Sequence, residues 1–271
     1  MRRIRMMGLC LIAAFAMGAI GAGSASALPE VGRCVAQAGT GKYTESNCVK
    51  KAGSKAEEKQ FEFKKGAGTG SKSFSSSGGE GVLTLQSGNS VRCKTQAAAG
   101  EWKEASGAIK EATNVVATFT GCELLSTACT TQGEAEGVIV TKKLGGKLGY
   151  IKKSTKLVGQ ELHPLLKKEG THAGNFAIFK CGAAALSEVR EGPSKTGHNC
   201  IIAPVEPVNV MSTTGTELYS ELKAGEQNPQ KFETSKTNCN LEASLNGGPF
   251  EKSSQALTTT ITMGQALEIK A

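Results

Sequence analysis

Between residues 113 and 151 the chain alternates short β-branched and aromatic runs with small polar breaks. Residues 114–120 (NVVATFT) and 137–141 (GVIVT) read as strands. Residues 147–151 (KLGYI) read as a third, turning back across Gly145-Gly146 as a two-residue hairpin. The same rhythm continues on either side. Residues 82–85 and 90–93 flank Ser87-Gly88-Asn89, a second hairpin signal, and residues 175–179, 204–211, 240–245 and 257–262 add further strands, with a turn at Asn246-Gly247-Gly248. Helical periodicity is weak; residues 217–223 and 56–60 each suggest one short helical turn. Short strands joined by Gly-rich turns predict an all-β protein, an antiparallel sandwich or barrel-like body.

Two departures from this pattern divide the chain. Arg2, Arg3 and Arg5 precede an apolar run over residues 6–20, and Ala25-Ser26-Ala27 supplies the small residues read before cleavage, so residues 1–27 are expected to be a secretory signal peptide. The run is too short for a permanent membrane span. Cleavage after Ala27 leaves 244 residues. Residues 66–79 (GAGTGSKSFSSSGG) are poor in apolar groups and read as a flexible linker or surface loop. The expected organisation is a signal at 1–27, a small cystine-stapled unit at 28–65, a Gly/Ser-rich linker at 66–80 and an antiparallel β domain at 81–271.

Removal of the signal changes the cysteine and charge arithmetic. Nine cysteines become eight, an even number in an oxidising compartment, which predicts four disulfides. Cys34 and Cys48 flank a turn at residues 39–42, and Cys122 and Cys129 close a short loop, so each pair is expected to bond locally. Cys93 with Cys181 and Cys200 with Cys239 complete the expected set. The mature chain keeps 29 basic residues against 24 acidic ones, a net charge of +5.

Cys34…Gly41-Lys42-Tyr43…Cys48, Phe119-x-Gly121-Cys122…Cys129, the segment LGGKLGYI at 144–151 and Phe179-x-Cys181-Gly182 together resemble a family of secreted proteins from soil actinobacteria. The resemblance spans most of the mature chain. It implies secretion and carries no activity, ligand or site residue.

Candidate chemistry is sparse. The chain contains no aspartate, which removes an aspartic-protease dyad and the usual calcium loops, and a Ser-His-Asp triad would need Glu as its third member. His163, His172 and His198 are the only histidines, and combined with Glu161 or Glu169 they match no zinc template, so neither metal nor cofactor is expected. Glu134 with Glu136 shares one face of an expected strand, as does Glu188 with Arg190, and two facing glutamates beside Trp102 or a tyrosine would suit a polysaccharide hydrolase. No catalytic motif supports that alternative.

The positive charge is almost all lysine, because the mature chain keeps 26 Lys and only Arg33, Arg92 and Arg190. Nucleic-acid reading leans on bidentate arginine and is not expected. Lysine pairs at residues 50–51, 64–65, 142–143, 152–153 and 167–168 suit diffuse attraction to anionic cell-wall or surface polymers, although a mixed Lys/Glu surface that keeps the protein soluble and blunts sheet edges is the favoured reading of them. The leading expectation is therefore a secreted, non-enzymatic, cell-envelope-associated or extracellular interaction protein. No residue pattern assigns its oligomeric state.

Overall fold

The structure is a computed structural model that describes residues 29–70, 72–105, 108–165, 174–191, 200–233 and 238–271. The expected signal peptide at 1–27, His172, His198, Glu169, Lys167 and Lys168 lie outside the described residues. In chain order the strands are β1 (Glu30–Ala36), β2 (Phe61–Lys65), β3 (Ser73–Gly78), β4 (Gly81–Leu85), β5 (Ser90–Cys93), β6 (Thr95–Ala105), β7 (Ala108–Thr120), β8 (Glu123–Leu124), β9 (Thr127–Thr130) and β10 (Ile139–Val140). They continue as β11 (Leu144–Lys152), β12 (Leu157–Pro164), β13 (Asn175–Cys181), β14 (Leu186–Glu191), β15 (Ile201–Glu206), β16 (Ser212–Lys223), β17 (Glu226–Asn228), β18 (Leu241–Ser244) and β19 (Glu251–Lys270).

The all-β expectation holds, and the body is a barrel. Antiparallel pairing runs β3-β6-β7-β11-β12-β15-β16-β19 and returns to β3, closing an eight-stranded ring. A second set of pairings, β4-β5-β8-β9-β13-β14-β18-β19, also returns on itself. The two rings share β19: residues 251–256 pair with β18 and β4, and residues beyond 256 pair with β16, β3 and β1. Closure satisfies the backbone groups that an open edge would leave unpaired.

Strand alternation decides which side chains fill the interior. In β4 Gly81, Leu83 and Leu85 are buried while Val82 and Thr84 are half-buried, and in β7 Val115 and Ala117 face in with Phe119. One contiguous hydrophobic core runs through both rings.

Three expectations are corrected. Residues 73–78 are not linker; they form β3, hydrogen-bonded on both sides to β6 and β19, where Phe74 is buried among its serines and stacks 4.9 Å from Trp102. Two ladders supply the order that the poor apolar content does not. Residues 28–65 are not a separate unit, since β1 pairs with β19 and β7 as well as with β2. Gly145-Gly146 is not a turn, because residues 144–152 run through it as the single strand β11. A Cβ on Gly146 would lie 1.6 Å from the Glu161 carbonyl oxygen of β12, so glycine there answers to close strand approach.

The hairpin at residues 85–90 forms as expected, with the Leu85 amide donating to the Asn89 carbonyl at 2.8 Å and Gly88 at φ +89°. Residues 217–223, read as a helical turn, belong to β16.

The disulfides are Cys34–Cys48, Cys93–Cys122, Cys129–Cys181 and Cys200–Cys239. The first and last follow the expected pairing; the middle two exchange partners. Cys93, Cys122, Cys129 and Cys181 occupy one row across the adjacent strands of the second ring: Arg92 faces Glu123, Glu123 faces Ala128, and Cys129 faces Cys181. Bonding Cys122 to Cys129 would leave Cys93 and Cys181 three strand spacings apart, roughly 14 Å along the sheet, beyond disulfide reach. Pairing each with its outer neighbour uses all four.

Among the described residues no helix is long and apolar enough to cross a membrane. That and the four disulfides are compatible with an extracellular protein.

Candidate functional site

A cavity of about 130 Å³ lies inside the barrel, with walls drawn from both rings. Phe74, Val115, Phe119, Leu144, Leu162 and Ile201 come from the first ring, and Leu83, Val91, Phe179, Val189 and Leu241 from the second. Eight-stranded barrels have interiors just wide enough to be filled by side chains or to hold one small ligand. Here small residues, Ala98 and Ala117 among them, leave space.

Polar groups in this apolar wall are few. Glu217 is the only carboxylate among the described lining residues, and no Lys, Arg or His joins it there. It sits on β16 opposite Val205 of β15 and Thr259 of β19. Its Oε2 accepts hydrogen bonds from the Tyr219 hydroxyl at 3.2 Å and the Thr259 hydroxyl at 3.3 Å. Oε1 receives no hydrogen bond from any described residue.

The row continues around the wall. Thr259 faces Gly78 of β3 and Gly78 faces Gln96 of β6, and a Cβ on Gly78 would lie 2.8 Å from the Thr258 carbonyl oxygen and 3.3 Å from Gln96 Oε1, so the row is closely packed there. The Oε1 atoms of Gln96 and of Gln160, which also lines the cavity, are buried without a partner. A buried polar atom without a partner is costly, so both are unusual in a packed core.

Burial pushes the Glu217 carboxyl up from an ordinary 4.5 to about 7, against the two hydroxyl donors that favour its charged form. Burial, and then the neighbouring carboxylate, raise the Tyr219 phenol well above its usual value. The native state therefore holds a proton on Glu217 between pH 4.5 and 7 that the unfolded chain has released, so this group's contribution to stability falls as pH rises through that window. The loss is about 3 kcal/mol and is complete a little above pH 7. Glu217→Gln is expected to remove this part of the slope and to be the more stable protein at pH 8, as read by urea midpoints at pH 5 and pH 8; equal midpoint differences at the two pH values would refute it.

The residues weighed from sequence lie elsewhere. Glu134 and Glu136 are exposed in the loop between β9 and β10 and do not share a strand face. Glu188 and Arg190 do lie on one strand, β14, and both are engaged: Asn175 donates to Glu188 at 3.3 Å, while Arg190 bonds Glu242 at 3.2 Å and stacks 3.3 Å over the Phe250 ring. Trp102 is in the core, outside the cavity wall. His163 Nδ1 lies 3.3 Å from Glu161, whose other oxygen is 3.5 Å from Lys147.

Glu161 also lies within 4.8 Å of the Cys200 and Cys239 sulfurs, but these are bonded to each other and offer no thiolate for a metal. Lys50, Lys51, Lys64, Lys65, Lys142, Lys143, Lys152 and Lys153 are exposed. Glu217, Gln96 and Gln160 were not legible as a site. The one available signal was the order Thr-Glu-Leu-Tyr, in which a strand reading puts glutamate and tyrosine on one face and leucine on the other. No family model, curated protein or solved structure matches this chain.

Proposed function

We propose that this is an exported, non-enzymatic binding protein that holds a small, largely apolar molecule inside the barrel. The observation that carries the reading is the cavity, apolar on nearly all sides and walled by both rings. Left empty, a void of that size costs about 3 kcal/mol, and an occupant recovers part of that cost. The four disulfides support an extracellular setting. The hydrolase alternative is less well supported, because glycoside cleavage uses two facing carboxyl groups and the described lining supplies only Glu217.

A cavity probe tests the proposal. Millimolar toluene is expected to raise the melting midpoint of the disulfide-intact protein by a few degrees. Ala117→Leu, which fills the cavity from β7, should abolish that shift. Absence of a toluene shift in the parent protein, or a shift that persists in Ala117→Leu, would overturn the proposal.

A further inference from the structure

Glu217 is an odd wall for a purely apolar occupant. Its carboxylate is buried with no cation among the described lining residues, one oxygen is held by Tyr219 and Thr259, and the other receives no hydrogen bond from any described residue. Gln96 stands on the same row, opposite Gly78, and Gln160 lies on β12 opposite Ala203, two residues along β15 from the Val205 that faces Glu217. Glu217, Gln96 and Gln160 all line a cavity whose remaining lining is mostly apolar, and the Oε1 atoms of both glutamines are buried without a partner. Such a set is complementary to a group that only donates. A primary ammonium has three donors and no acceptor.

We propose that the cavity binds a small primary amine, a compact apolar body about the size of one six-membered ring whose ammonium docks on Glu217. This rests on the reading of the lumen as a ligand site and specifies the ligand's chemistry. Folding has already stripped water from the carboxylate and fixed its orientation through Tyr219 and Thr259, so the incoming ammonium loses only its own hydration. The charge-assisted bond that results is of the stronger kind.

Among the described residues the groups facing Glu217 are Tyr219 on its own strand, Thr259 from β19 and Val205 from β15, with Gln96 and Gln160 on the wall nearby; of these Tyr219 is the one other titratable group, and it stays neutral well above pH 8. Amine binding should thus follow the ionisation of Glu217. It is weak at pH 5.5, where the carboxyl is protonated, and strong at pH 8.

Calorimetry with benzylamine, benzyl alcohol and toluene on the disulfide-intact protein tests the inference. At pH 8 benzylamine is expected to bind at least about tenfold more tightly than toluene, the factor that a net gain of about 1.4 kcal/mol from a charge-assisted bond gives. That preference should vanish at pH 5.5 and in Glu217→Gln, while toluene binding changes little in either. Toluene binding without a benzylamine preference would overturn the amine assignment and leave the apolar-ligand reading standing. Benzylamine binding that is unchanged in Glu217→Gln would also overturn it, by placing the amine elsewhere. Failure of all three compounds would overturn both readings.

Discussion

Gly146→Ala is expected to prevent the barrel from closing, with a loss of at least about 3 kcal/mol or no folded protein. The added methyl would sit 1.6 Å from the Glu161 carbonyl oxygen and 3.2 Å from the Leu162 Cα. Both atoms are backbone, so no side chain can swing away. Relief requires β11 and β12 to part, and these strands are consecutive members of the first ring, so separating them opens it. Gly88→Ala is the control. Its position meets nothing within 4 Å, and only its φ of +89° opposes a side chain, so a loss of about 1 kcal/mol is expected. Urea midpoints of the two variants compare them directly, and a Gly146→Ala protein as stable as Gly88→Ala would refute the close-approach argument.

Removing the Cys129–Cys181 bond as Cys129→Ala/Cys181→Ala is expected to cost about 4 kcal/mol, the chain-entropy value for a loop of this length. The bond spans 52 residues of sequence and joins β9 to β13 in the second ring. The corresponding double variant at Cys34 and Cys48 opens a separation of only 14 residues and should lose less, about 3 kcal/mol. Guanidinium midpoints of the oxidised proteins rank the two. A Cys34/Cys48 variant less stable than the Cys129/Cys181 variant would contradict the account.

The limits of reading this chain from sequence have physical causes. Period-two alternation at residues 82–85 and 114–120 identified strands because one face is apolar and the other is not. The same logic failed at residues 73–78, where the order comes from two hydrogen-bonded neighbours and only Phe74 carries a large apolar group. It failed again at residues 217–223 for the opposite reason. Leu218 and Leu222 stand four apart, the helical spacing, yet both point outward from β16, 48% and 69% exposed, while Glu217 and Tyr219 turn in. An apolar residue outside and a carboxylate inside invert the rule on which periodicity rests, and the inversion falls at the candidate site. Disulfide partners were legible only where no other cysteine stood near. In the four-cysteine row, chain proximity pointed to Cys122–Cys129, and cross-strand geometry selected otherwise.

The sharing of β19 has a consequence for biogenesis. Thr259 pairs with Gly78, and Ser253 with Leu85, so both closures join segments more than 160 residues apart along the chain. A polypeptide that emerges with its N-terminal end leading holds only open sheets until β19 has been made. During that interval the incomplete walls present unpaired edges and apolar faces to their surroundings. A chain without β19 therefore stays open to self-association until its last strand closes both rings.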